Sequence, residues 1–309
     1  MAQASHPSTI GSGAAASRRP LTPSRIVQIA TPFLFMLPAL LLVGVFFIWS
    51  FFRNIYLSLT DAQGARPPTF IGFDNYVRLF NDPILADSVT NTLYWVAGTI
   101  VLPVGLGLLI AVVSYGIRGG AGYRLPFLIP YALSGTALAT LWQYLLNTEG
   151  AINAALGSVG LDSLGRAWLL SPPMNTISMI VASTWQGVGV SVLLFIVGLQ
   201  TIPQDPIEAA RLDGAEGWRL FRDMTLPLLR PMMIVIIGIS LVNSLKTFDI
   251  IWIMTQGGPY RSSETLAVTM YRETFVLFRT GYGAAIAVAL SLIVIVVSWF
   301  YLQRTLRSV

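Results

Sequence analysis

Six long apolar runs alternate with polar stretches along the chain, at roughly 30–52, 88–114, 124–146, 175–199, 231–254 and 281–303. Each reaches the ~20 residues that an α-helix needs to cross a bilayer core. None shows the residue-by-residue alternation of barrel strands, and no internal repeat is visible. The pattern predicts an all-α membrane protein with six transmembrane helices. Pro103, Pro126 and Pro130 fall inside runs, where kinks are tolerated if neighbours satisfy the freed carbonyls. The first run is too long for a signal-peptide core and lacks a cleavage site, so it reads as an uncleaved span. Residues 1–29, rich in Ala, Ser, Pro and Gly, read as a disordered cytoplasmic tail. Residues 30–305 then form one six-helix domain.

Composition agrees. The chain is 54% hydrophobic and only 11% charged, against about 25% charged in soluble domains. It has no cysteine, hence no disulfide framework or thiolate chemistry, and its single histidine, His6, cannot build a metal site alone. No metal site is expected. With the N-terminus inside, eleven arginines fall on the inner side and seven on the outer, and the only lysine, Lys246, lies within a span. The excess of positive charge predicts cytoplasmic N- and C-termini and places the loop between spans four and five in the cytoplasm.

That loop, 201–230, concentrates charge between two apolar runs. Asp205 suits a helix N-cap, Pro206 the first helical position, and Glu208 the third, a capping-box arrangement. Ala209, Ala210, Arg211 and Leu212 continue the helix and Gly214 ends it. A second short helix fits Glu216 to about Met224, and Pro227 and Pro231 break the chain before span five. A mere connector gains nothing by exposing Trp218 and Phe221, so this folded elbow is expected to dock, either on the protein's own helix ends or on a cytoplasmic partner.

The elbow resembles the E-A-A loop of bacterial ABC importer permeases: Glu208-Ala209-Ala210, then Gly214, then Met224, Leu226 and Pro227 at the family spacing, with Met in place of the usual Ile. FIGFDNYVRLFNDP (70–83) and FDIIWIMTQGGP (248–259) are similar to the carbohydrate-uptake, maltose-permease-like branch, and within it to the trehalose importers of mycobacteria. The resemblance implies the type I importer permease fold in a bacterial inner membrane. It also implies a second homologous permease subunit, an ATPase dimer that uses ATP and Mg, an extracytoplasmic sugar-binding lipoprotein and surrounding lipid. The implied cargo is a carbohydrate, and within that class a disaccharide such as trehalose. It makes Glu208, Ala209, Ala210, Gly214, Leu226 and Pro227 the ATPase-coupling residues. No cofactor bound by this chain and no nucleic-acid partner are expected.

The residues themselves support a non-catalytic subunit. A P-loop needs a lysine in a glycine frame, and Lys246 follows LVNSL. Span five is the most polar span, and intramembrane polar groups are costly and usually functional. Ser240, Ser244 and Thr247 share a helical face bordered by Asn243, and hydroxyls and amides suit a hydroxyl-rich neutral ligand. Interhelical hydrogen bonding is the alternative use of such residues. Maltose-type permeases use this part of the fifth helix for sugar, which adds to the first reading. Lys246 and Asp249, spaced i, i+3, form a candidate gating pair or simply neutralise each other. Trp185, Gln186 and Tyr144 read as packing or interface anchors. A secondary transporter or channel is the alternative function, but neither an inverted repeat nor an ion relay is visible.

Overall fold

The computed structural model describes residues 23–117 and 119–306. It comprises two units, Met1–Phe52 and Arg53–Val309. The described part of the first unit is helical throughout: α1 (Pro23–Val43), a π-helical turn (Gly44–Trp49) and the opening of α2 (Ser50–Ser58). Its large apolar side chains from Phe33 to Phe52 are exposed, as befits a helix facing lipid. The helix therefore starts before residue 30. Pro23 can begin it because the first helical N–H has no partner to lose, and Ile26, Val27 and Ile29 extend the apolar run backwards. The rest of the expected tail, residues 1–22 with His6, Arg18 and Arg19, lies outside the described residues.

The second unit continues through α3 (Asp74–Asn81), α4 (Pro83–Ser114), α5 (Gly120–Leu128), α6 (Gly135–Leu145), α7 (Ala151–Ser158) and α8 (Met174–Gln200). The elbow follows as α9 (Gln204–Leu212), α10 (Gly217–Leu220) and α11 (Leu226–Leu228). The last helices are α12 (Arg230–Leu245), α13 (Asp249–Met254), α14 (Leu266–Tyr271) and α15 (Thr280–Leu306). Phe33–Ser58, α4, α8 and α15 are long and apolar enough to cross a membrane alone. Counting each of two bent pairs as one span brings the candidate spans among the described residues to six: the α5 segment with α6, bent by 100°, and α10–α11 with α12, bent by 68°. The expected straight fifth span, 231–254, is thus interrupted between Leu245 and Asp249.

α8 is the central packing element, and small residues let its neighbours approach closely. A Cβ added at Gly107 of α4 would lie 2.4 Å from Ser191 Cβ of α8, and one at Gly189 would lie 2.6 Å from the Phe127 carbonyl oxygen. One at Gly198 would meet Met232 of α12 at 2.9 Å. Between helices in lipid, association rests on this close packing rather than on hydrophobic burial from water. Phe195, Val192, Val104, Ala111, Leu229 and Ile236 fill one core cluster; Met179, Leu138, Ile251 and Val268 belong to another. The small residues that open α15 also pack: Ala284 and Ala285 are buried.

Behind α13, the loop to α14 is pinned by buried polar groups. Asn91 Nδ2 of α4 donates to the carbonyls of Ser262 (2.8 Å) and Glu264 (3.0 Å), and Asn175 Nδ2 of α8 donates to that of Gly258 (3.1 Å). The Glu264 carboxylate is fully buried and accepts from Arg261, Arg272 and the Thr269 hydroxyl. Glu273, also buried, is shared by Arg261 and Arg279. Burial works against the Arg261 charge, but Glu264 and Glu273 outweigh it and hold the guanidinium pKa above its ordinary value.

Two outcomes follow from this packing. Gly107→Val should lower stability by about 1–3 kcal/mol through overpacking, whereas Gly105→Ala, with nothing within 4 Å of the added carbon, should be neutral; thermal unfolding in detergent compares them. Glu264→Ala should cost about 3–5 kcal/mol, because it strands Arg261 and Arg272 without their shared carboxylate. A melting temperature matching the parent would show that the network carries no stability.

Candidate functional site

The break in span five has a defined local geometry. At the end of α12, the Lys246 N–H donates to the Asn243 carbonyl (3.2 Å) and the Thr247 N–H to that of Ser244 (3.3 Å), closing the helix with tight turns. The Thr247 hydroxyl also donates to the Asn243 carbonyl (3.2 Å), an example of a short polar side chain competing for helix backbone. The Thr247 carbonyl is taken by the Thr265 hydroxyl at 3.0 Å. Phe248 turns the chain and stacks on Trp252, with centroids 5.7 Å apart, before α13 resumes at Asp249.

Beside this break lies a cavity of about 500 Å³, within the usual range for small-molecule sites. α4 contributes Trp95 and Thr99, the bend between α5 and α6 contributes Tyr131 and Gly135, and α8 contributes Ser183, Gln186 and Ser191. Ser240, Asn243, Ser244, Lys246, Thr247 and Asp249 all line it as well. Every span-five residue singled out from the sequence therefore reaches one wall.

Their chemistry differs. Ser244 is buried and its hydroxyl is spent on the Leu241 carbonyl at 2.8 Å. Among the described residues, the side chains of Ser240 and Asn243 have no hydrogen-bond partner and remain available. Lys246 and Asp249 are both exposed and form no ion pair among the described residues. Their expected pairing presupposed a continuous helix; the break at 246–248 removes the i, i+3 relation and leaves two separate charges on the cavity wall. Gln186, read from sequence as an anchor, does both jobs: its amide lines the cavity while Nε2 holds the Leu133 carbonyl of the α5–α6 bend at 2.8 Å. Trp95 and Thr99 were missed. The signal was Ser88, Asn91, Trp95 and Thr99 recurring at helical spacing along α4.

The elbow forms the second candidate site. Its first helix begins at Gln204, with Pro203 in the cap position and no side-chain cap bond, so Asp205 does not cap it. Pro206 instead takes the third helical position, where the N–H is still without an intrahelical partner. The end is as expected. Gly214 has φ +83°, its N–H donates to the Arg211 carbonyl (3.0 Å), and the Ala215 N–H donates to that of Ala210 (2.9 Å). This is a Schellman closure. Ala210 is buried and Ile207 packs into the core cluster around Leu229. Glu208 and Ala209 face outward, Leu226 is half-buried and Pro227 exposed. Leu212 and Trp218 are 90% and 71% exposed. The second helix runs on from Gly217 through a π turn to Leu228 before the bend.

These features define a class: an all-helical, multi-pass membrane protein with a solute-sized cavity at a broken helix and a folded elbow between its fourth and fifth spans. Over residues 7–306 the sequence matches the family described as binding-protein-dependent transport system inner membrane component, and the chain belongs to that family. It is 36% identical over 281 residues to a probable ABC transporter permease protein of Pyrococcus horikoshii, covering 89% of this chain and 95% of that one. It is 34% identical over 277 residues to the sulfoquinovosyl glycerol transport system permease protein of Agrobacterium fabrum, covering 87% and 88%. In fold it is similar to a chain of the bacterial alginate ABC transporter crystallised with its alginate pentasaccharide-bound periplasmic protein: TM-score 0.79, 19% identity, covering 90% of this chain and 95% of that one. The protein is thus a non-catalytic permease component of the inner membrane, and the ATPase is a separate subunit.

Proposed function

We propose that this chain is a permease of an ATP-driven importer for a carbohydrate, working with a second homologous permease, an ATPase dimer and an extracytoplasmic sugar-binding protein, and with both termini cytoplasmic. The observation that carries the reading is the cavity wall. Ser240 and Asn243 present unpartnered hydroxyl and amide groups, Thr247 and Gln186 add further polar atoms, and Trp95, Tyr131 and Phe248 supply aromatic walls. A neutral, hydroxyl-rich solute both donates and accepts, which matches this set. The sulfoquinovosyl glycerol and alginate systems carry sugar-containing cargo, which supports the carbohydrate class. A disaccharide is the cargo proposed, with trehalose the specific candidate to assay first.

On the same reading, the elbow receives the ATPase. Glu208 and Ala209 on its outer face, with exposed Leu212 and Trp218 nearby, supply a mixed charged and apolar contact, while Ala210, Gly214, Leu226 and Pro227 set its shape. Lys246 and Asp249 act on the path as separate charges at the break.

In the reconstituted complex, Ser240→Ala combined with Asn243→Ala should weaken sugar affinity by about 1–3 kcal/mol, from about 0.5–1.5 kcal/mol per lost hydrogen bond, with assembly intact. Labelled trehalose and other disaccharides in proteoliposomes measure this. Unchanged affinity and rate would move the sugar site elsewhere. Uptake driven by an ion gradient without ATP would instead overturn the importer class.

For the elbow, space is not limiting at Gly214, since an added Cβ would meet nothing within 4 Å; only its φ is. Gly214→Leu should cost about 1–2 kcal/mol locally and reduce coupled transport, whereas Gly214→Asn, which tolerates that conformation, should retain most of it. Equal uptake and equal stimulation of ATP hydrolysis in both variants would make the elbow a plain connector.

A further inference from the structure

α3 takes no part in either the cavity or the elbow. One face of it is firmly seated: Asn75 Nδ2 donates to the carbonyls of Ser58 (2.9 Å) and Thr60 (2.8 Å), and Leu79 packs against Tyr282 and Ile286 of α15. The other face is apolar and uncovered. Phe73, Val77 and Phe80, spaced i, i+4 and i+7, are 72%, 59% and 91% exposed. Phe275 and Phe278, just before α15, are exposed as well.

Next to this stripe is a second cavity, of about 320 Å³, into which Arg78, Arg261 and Arg279 converge with Asp82 and Glu273. The carboxylates are already engaged. Glu273 serves Arg261 and Arg279 at 3.4 and 3.3 Å, and Asp82 accepts from the Tyr282 hydroxyl (2.7 Å) and the Ile84 N–H (3.0 Å). Arg78 has no carboxylate partner among the described residues, and its guanidinium lies over the Tyr282 ring at 4.0 Å. Arg261 is spent on Glu264 as well as on Glu273, and Asp61 and Asp74 line an adjoining cavity with Arg78 and Arg279, so the donors left open here are those of Arg78 and those of Arg279 beyond its bond to Glu273. Asp82 immediately precedes α4 and Arg279 immediately precedes α15, so the cavity lies at the starts of two candidate spans, where lipid headgroups are expected.

We infer that α3 is an interfacial helix whose Phe73–Val77–Phe80 stripe lies at the acyl boundary, and that Arg78, with Arg279 beside it, holds the phosphate of a phospholipid in that leaflet. Helices with an apolar stripe and a basic flank lie in the interface plane, and aromatic side chains concentrate at that depth. Guanidinium is the side chain best shaped to grip phosphate. The lipid would then tie α3 to the starts of α4 and α15. A protein docked on the same face is the competing occupant. The level of the span ends and the run of exposed phenylalanines beside it favour lipid.

The absence of cysteine makes the test direct. A fluorophore on Phe80→Cys, in the chain reassembled with cysteine-free partner subunits in nanodiscs, should be quenched by phospholipids brominated on their acyl chains. Adding the sugar-binding protein should leave that quenching unchanged. A label that brominated lipid does not quench, or that the binding protein shields, overturns the interfacial assignment. Native mass spectrometry of the detergent-purified complex, titrated with phosphatidylglycerol, reads the headgroup site. Arg78→Gln should raise the apparent Kd of one lipid about five-fold, the size expected for one basic residue at an anionic membrane, with Arg78→Lys in between. Excess inorganic phosphate should not displace that lipid. Equal lipid retention by Arg78→Gln and the parent, or displacement by inorganic phosphate, overturns the headgroup assignment.

Discussion

Everything around the cavity depends on keeping a transmembrane helix broken. In hydrocarbon an unsatisfied backbone group costs several kcal/mol, so a chain that stops being helical between Leu245 and Asp249 must find partners for what it exposes. The turn bonds at Lys246 and Thr247 supply some of them, and the Thr265 hydroxyl supplies another. Thr265 can do so only because the loop carrying it is fixed from several sides. Asn91 reaches it from α4, Asn175 from α8, and the Glu264 ion network holds it from within. Discontinuous helices with polar groups at the interruption are a recurrent way to build a solute site inside a membrane. Here the polar support lies behind the break, and the cavity lies in front of it.

That arrangement separates two kinds of cavity-lining polar residue that look alike in a sequence. Ser244 and Thr247 spend their hydroxyls on their own helix backbone, while Ser240 and Asn243 do not. Residues chosen as one face therefore divide into those that shape the backbone and those that remain free for a solute.

The six spans were legible because apolar length is a strong signal that few other structures produce. Gly214 was legible because the left-handed conformation it adopts is cheap only for glycine. The break in span five was not legible: no glycine or proline falls at 245–249, and the interruption is decided by partners far along the chain. For the same reason Lys246 and Asp249 could not be judged as a pair, since their geometry depended on a continuous helix. The elbow's start shows a different limit. Both Pro203-Gln204 and Asp205-Pro206 are acceptable helix openings locally, and the choice follows the packing of Ile202 and Ile207 against Leu229 and its neighbours, with Ala210 buried on the same helix. Cavity-lining residues on α4 and α8 were visible as polar positions, but which wall they face is a tertiary property.

The two candidate sites are mechanically connected, and the connection is short. Leu229, fully buried at the 68° bend, sits where the elbow ends and α12 begins. Gly198 of α8 packs so closely on Leu229 and Met232 that an added Cβ would lie 3.0 Å or less from each. A displacement of α9–α11 cannot be absorbed at such a junction by side-chain rearrangement, because close-packed interiors transmit strain rather than dissipate it. It must tilt α12 against α8. Asn243 lies 14 residues beyond Leu229, or about 21 Å along a helix, so a small rotation at the bend becomes a larger movement at the cavity. The interruption at 246–248 then limits how far that movement travels: α12 can swing while α13, tied to α6 by Gln143 through the Ile253 and Met254 carbonyls, stays with the opposite end of the bundle. A continuous fifth helix would move both ends of the cavity together. On the proposed coupling role of the elbow, a broken one would let it reposition Ser240 and Asn243 relative to a fixed cap, the relative motion that alternating access requires.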